Sequence, residues 1–182
     1  MSGTWHVALL RGVNIGRAKR VAMADLRGLV AGLGFSEVRT LLNSGNVVFR
    51  AAGVTAAKAA ARIEKAIATE LGVSSRVTVL TAAELAGILA KQPDLKKADN
   101  PSRLLVAVWS APADRARLAP LLKQDWRPEQ LAVGGRAAYL WCPNGIHDSR
   151  LAAAVGRVLG DGVTSRNWAT LAKLEALTRD ES

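Results

Sequence analysis

The stretch Glu37-Val38-Arg39-Thr40-Leu41-Leu42-Asn43-Ser44-Gly45-Asn46-Val47-Val48-Phe49-Arg50 decides the fold. Apolar residues lie on both sides of Asn43-Ser44-Gly45, a short connection of residue types that accept left-handed backbone. Residues 37–42 and 46–50 therefore read as two strands of a hairpin. About 90 residues later the pattern returns, with 130–133 and 136–142 flanking Gly134-Gly135.

Outward from each hairpin the same element order appears. Before the first lie an apolar strand at 5–10, a polar loop at 11–20 and a helix. In that helix Met23, Leu26, Val30 and Leu33 recur at three and four residues, and Gly34 stops it. After the hairpin, Thr55 caps a helix with a buried stripe of Ala60, Ile63, Ile67 and Leu71, closed by Gly72. A strand at 76–80 follows. Thr81-Ala82-Ala83-Glu84 is a capping box opening a helix with Leu85, Ile88 and Leu89, which must end before Pro93.

The second set comprises a strand at 103–109 and a helix at 113–123, with Leu118, Leu121 and Leu122 inward. After the hairpin come a helix capped by Ser149 (Leu151, Val155, Val158, Leu159) and a strand at 162–165. A last helix from about 167 carries Trp168, Leu171, Leu174 and Leu177. The expectation is an α+β fold of two ferredoxin-like (βαββαβ, α/β-plait) repeats in tandem plus a C-terminal helix. The expected organisation is a first repeat at 1–91, a Pro-containing polar linker at 92–102 and a second repeat at 103–182.

The chain has 182 residues, of which 49% are hydrophobic and 4% aromatic, too apolar for a disordered segment. The one cysteine, Cys142, cannot crosslink a monomer and fits a reducing compartment. The N-terminus lacks the basic-then-apolar pattern of a signal peptide, and no apolar run is long enough to span a bilayer. A cytoplasmic location with no membrane partner is expected.

Twenty-five Lys+Arg against fifteen Asp+Glu give a charge of +10. Residues 1–50 hold seven cations and two acids, whereas residues 151–182 hold four of each. Half of the excess therefore lies in the first 50 residues and none in the last 32, and an excess of this sign attracts anions.

Three polar clusters are candidate sites. In Arg11-Gly12-Val13-Asn14-Ile15-Gly16-Arg17-Ala18-Lys19-Arg20, Gly and Asn permit positive φ. Successive N–H groups could then turn inward as an anion nest ahead of a helix N-terminus. It lacks the Gly-Lys-Ser/Thr end of a P-loop and the spacing of a dinucleotide fingerprint. Asn43-Ser44-Gly45-Asn46 combines ordinary hairpin chemistry with side chains able to bond a ligand. In Thr164-Ser165-Arg166-Asn167-Trp168, Ser165 or Asn167 can cap the last helix. A cation at Arg166 opposes the helix dipole unless an anion or carboxylate lies near.

His6 lies in an apolar strand and reads as structural. His147, beside Asp148 and Ser149, does not make a triad, because adjacent side chains diverge. No His/Cys/Asp grouping has metal spacing, and no cofactor is expected. Tyr139, Trp141 and Trp109 could stack bases, but packing is the ordinary role of aromatics on half-buried strands.

Leu10 to Gly16, Asn43-Ser44-Gly45-Asn46-Val47-Val48-Phe49, Pro143-Asn144-Gly145-Ile146 and Arg166-Asn167-Trp168 with Thr170 resemble the bacterial domain of unknown function family 1697. The chain departs from that family in having Arg150 where a Lys commonly follows the Ser. It also carries Arg17-Ala18-Lys19-Arg20 where Gly- and Lys-rich variants are usual. The resemblance implies two ferredoxin-like repeats and no particular activity.

The sequence thus points to a binding protein for an anionic ligand, a nucleotide or nucleic acid. The expected site is Arg11, Gly12, Asn14, Gly16, Arg17, Asn43, Ser44, Gly45, Asn46, Arg166 and Asn167. An enzyme acting on a small phosphorylated or carboxylated substrate, with Ser44 or His147 moving protons, is the alternative. A structural or partner-binding module is a third reading.

Overall fold

The computed structural model describes residues 3–91 and 99–179. Among these residues, two four-stranded antiparallel sheets and six α-helices make an α+β fold. In the first sheet β1 (Thr4–Leu10) lies between β3 (Asn46–Ala51) and β4 (Val77–Thr81), with β2 (Ser36–Leu41) outside β3. β1 reads as a continuous apolar run because Trp5 through Leu10 are all buried.

Helices α1 (Met23–Gly32) and α2 (Ala56–Leu71) cover one face. Leu26, Val30, Ile63 and Ile67 pack there with Leu10, Val47, Phe49 and Val79. Thr55 caps α2 by accepting from the Lys58 N–H at 3.2 Å, and Gly72 ends it at φ 64°. A cap contributes about 1 kcal/mol, and each fully buried Ile roughly 1.5–3 kcal/mol. Packing therefore places the helix, and the cap sets its first residue. Ala59, not Ala60, is the fully buried small residue of the stripe.

Both arms of the expected capping box form at the start of α3 (Ala82–Ala90). The Thr81 N–H reaches the Glu84 carboxylate at 2.8 Å, and the Glu84 N–H reaches the Thr81 hydroxyl at 3.1 Å.

In the second sheet β5 (Leu104–Trp109) lies between β7 (Ala137–Trp141) and β8 (Val163–Asn167), with β6 (Gln130–Val133) outside β7. α5 (Arg150–Leu159) packs Leu151, Val155 and Leu159 onto Ala107, Trp109, Ala138 and Leu140. The helix expected at 113–123 is instead a 3-10 segment, Pro112–Leu118, followed by the short α4 (Ala119–Leu122). Pro120 supplies no N–H to continue a ladder from the preceding turn. Leu118 and Leu121 are buried as expected, but Leu122 faces out, 52% exposed.

β8 extends to Asn167, and α6 (Trp168–Leu177) follows directly. By packing, Met1–Ala86 with Leu174–Ser182 makes one unit and Gly87–Lys173 the other, so the dividing points fall within α3 and α6. Residues 92–98 of the expected linker lie outside the described residues. Among the described residues no helix is long and apolar enough to cross a membrane.

Candidate functional site

In the first unit the loop leaving β1 is a small hairpin rather than a nest. Asn14 closes its neck. The Asn14 side-chain amide donates to the Val21 carbonyl at 2.8 Å, and its oxygen accepts the Val21 N–H at 2.8 Å. The Asn14 N–H donates to the Lys19 carbonyl at 3.0 Å, and Ile15 bridges to Ala18 across Gly16-Arg17. Gly16 takes φ 61° at the first central position, as a type II′ connection requires.

Two N–H groups expected to face an anion are thereby committed to backbone partners, Asn14 to Lys19 and Arg11 to the Arg76 carbonyl at 2.9 Å. The Ser75 hydroxyl also donates to the Arg11 carbonyl at 2.9 Å, which anchors the start of the loop. Beyond the neck, Ile15, Gly16, Arg17, Lys19 and Arg20 are exposed, whereas Arg11 and Gly12 are half-buried. No acid occurs between Arg11 and Asp25.

The second cluster meets the first. The Asn14 amide also donates to the Asn43 carbonyl at 2.7 Å, and the Leu10 N–H donates to the Gly45 carbonyl at 2.9 Å. Asn43 and Ser44 are exposed. Asn46 is fully buried, and its amide turns back to the Leu41 carbonyl at 2.8 Å and the Ser44 hydroxyl at 2.9 Å. Gly45 is required twice over. Its φ is 85°, and a Cβ would stand 2.8 Å from both Leu10 Cβ and Val13 Cγ2. This turn therefore brings β1 and the basic hairpin together before any ligand is considered.

Arg166 and Asn167 belong to the second unit. Arg166 is the penultimate residue of β8, paired with Val106, and its guanidinium donates to the Ser165 carbonyl at 2.9 Å. It is therefore a strand residue, and burial lowers its pKa to about 10. Asn167, rather than Ser165, caps α6 by accepting the Thr170 N–H at 2.9 Å.

Tyr139 and Trp141 are buried, with the Tyr139 hydroxyl donating to the Ile88 carbonyl at 2.6 Å, and Trp109 is fully buried. None of these aromatics offers a stacking face to solvent. His6 is buried, stacked on Phe49 at 5.5 Å, and donates from Nδ1 to the Thr4 carbonyl. His147 is exposed while its neighbour Ser149 is buried.

Two features escaped the sequence reading. The first is a buried group at the start of α5. The Ser149 hydroxyl bonds Glu129, the Leu151 N–H donates to the same carboxylate at 3.3 Å, and Cys142 Sγ lies 3.4 Å from the Ser149 hydroxyl. Glu129 thus places a carboxylate at the positive end of α5. It stands 20 residues from Ser149, so no local spacing marks it. The second is an open cleft of about 1190 Å³ that includes Asp99, Pro101, Arg103, Arg127, Trp141 and Pro143 in its lining. Its two guanidiniums are engaged, Arg103 with the Pro143 carbonyl and Arg127 with Asp125 at 2.6 Å. Among the described residues no group of three His, Cys, Asp or Glu side chains could hold a metal ion.

A family model described as protein of unknown function (DUF1697) matches residues 4–139. A solved structure, the conserved bacterial protein SP0830 from Streptococcus pneumoniae, is similar in fold with a TM-score of 0.78. It shares 21% identity with the chain, and the match covers 97% of this chain and 99% of that one. No curated protein matches the sequence.

Proposed function

Because the chain belongs to this family of unknown function, from which no activity passes to it, we propose from its own geometry that it binds polyanions, nucleic acid above all, through the basic hairpin at residues 14–20. The observation carrying this reading is a cationic loop held in shape at its neck while residues 15–20 are exposed. Asn14 closes the neck at 2.8 Å on both sides of Val21, yet Arg17, Lys19 and Arg20 stand in solvent.

A loop shaped in advance loses less conformational freedom on binding than a mobile one. A protruding hairpin also fits a long phosphate backbone better than a single nucleotide, which favours a concave pocket. The finer reading of each unit as a ferredoxin-like plait belongs to the same proposal. Its support is the strand order β2-β3-β1-β4, repeated as β6-β7-β5-β8.

Binding of duplex DNA, duplex RNA, single strands and mononucleotides across a salt series tests the reading. The logarithm of affinity should fall linearly with the logarithm of salt, and Arg17→Ala or Lys19→Ala should each reduce the slope by roughly 0.9. A protein that binds none of these polyanions saturably, or whose slope ignores both substitutions, does not work this way.

A further inference from the structure

Three large apolar side chains are strongly exposed among the described residues: Ile15 at 72%, Leu42 at 54% and Leu122 at 52%. Two of them flank one hydrogen bond. Ile15 follows Asn14, Leu42 precedes Asn43, and Asn14 and Asn43 are joined at 2.7 Å. Both tips are set by unusual backbone. Leu42 has φ 57°, a left-handed conformation that bulky residues seldom adopt, and Asn14 has φ 56°. Ile15 is fixed by its bridge to Ala18. The fold therefore holds two aliphatic side chains in water, Ile15 on the same hairpin as Arg17, Lys19 and Arg20, and Leu42 beside the residue that Asn14 grips.

A partner for this surface must be anionic outside and apolar within. The choice of side chain narrows it further. Single-strand binders stack bases on exposed aromatic rings, and none of the eight aromatic side chains here is exposed. Membrane interfaces likewise favour Trp and Tyr as anchors. Aliphatic wedges flanked by cations are instead what unstacks a base step in a duplex.

We infer that Ile15 and Leu42 form a wedge that enters a base step of a double-stranded nucleic acid, while Arg17, Lys19 and Arg20 hold the flanking phosphates. This rests on the polyanion-binding reading and adds the form of nucleic acid and the mode of contact.

The test uses the full chain and duplexes carrying 2-aminopurine, in matched DNA and RNA versions. Wild type should raise the probe's fluorescence on binding at least one of them. Ile15→Ser and Leu42→Asn, whose folding is checked by circular dichroism, should bind about ten- to a hundredfold more weakly. They should leave the salt slope unchanged and lose the fluorescence rise. Saturable, salt-dependent duplex binding with no fluorescence change overturns the wedge and leaves the polyanion reading standing. So does unstacking by Ile15→Ser equal to wild type. Stronger binding to anionic vesicles than to either duplex also overturns the wedge, and absence of all binding overturns both readings.

Discussion

Asn43 and Asn46 lie three residues apart in one turn and do different work. Asn46 is fully buried and spends its amide on Leu41 and Ser44. Asn43 is exposed, and what Asn14 grips at 2.7 Å is its main-chain carbonyl, which any residue would provide, while the Asn43 side-chain oxygen lies at a long 3.5 Å. Removing the buried amide strands a carbonyl and should cost about 1–3 kcal/mol. Asn43→Ala should stay within about 0.5 kcal/mol of wild type. Gly45→Ala adds a left-handed penalty to two contacts at 2.8 Å, for a loss of about 3 kcal/mol. Urea unfolding of the three variants checks the ranking. Equal losses at Asn43 and Asn46 would contradict this account of the turn. The residue types Asn, Ser and Gly announced a turn in the sequence. Which Asn faces inward depends on where β1 and the 14–20 hairpin pack, and local spacing carries no information on that.

At the scale of elements, the signals that proved readable were those completed within one turn of helix. Thr55, the Thr81–Glu84 box and Ser149 all cap where expected, because each donor and acceptor lie three residues apart. Glu129 at the start of α5 was invisible for the opposite reason: its partners Ser149 and Leu151 arrive from beyond a hairpin. The sequence pattern puts Arg166 at a helix start, whereas β8 runs two residues further and includes it, so burial and not the helix dipole governs its charge.

The α5 end also shapes the response to alkali. Burial raises the Cys142 thiol above its ordinary 9.0, and burial likewise raises the Tyr139 hydroxyl above 10.0. An acid whose folded-state pKa is raised loses its proton first in the unfolded chain. Stability should then decline as pH climbs through those unfolded values, from about 9 upward. Cys142→Ala will carry its own packing cost, so the informative quantity is the slope of unfolding free energy between pH 8 and 10. That slope should be shallower in the variant. Native Cys142 should also resist a thiol reagent until urea unfolds the chain.

For the whole molecule the excess of ten positive charges is the dominant electrostatic fact, and its placement matters more than its sum. Seven cations against two acids in residues 1–50 leave a surface that repels itself in dilute buffer. Two kinds of added ion should therefore act differently. Sodium chloride screens the repulsion and weakens every exposed ion pair, such as Arg127–Asp125 and Arg179–Glu175, so its net effect on melting temperature should be small. On the proposed binding mode, a polyanion seated on the folded 14–20 hairpin favours the folded chain, and the full effect requires no affinity for the unfolded one. At a hundred times its dissociation constant it should stabilise by about 2.7 kcal/mol. For a chain of this length that corresponds to a rise of roughly 5–11 °C. Thermal melts with a duplex oligonucleotide in low salt, for wild type and for a combined Arg17→Ala, Lys19→Ala, Arg20→Ala variant, separate the two effects. The wild-type rise should exceed that of the variant several-fold. An equal rise in both would mean that the polyanion senses total charge, and that the closed neck at Asn14 serves the fold alone.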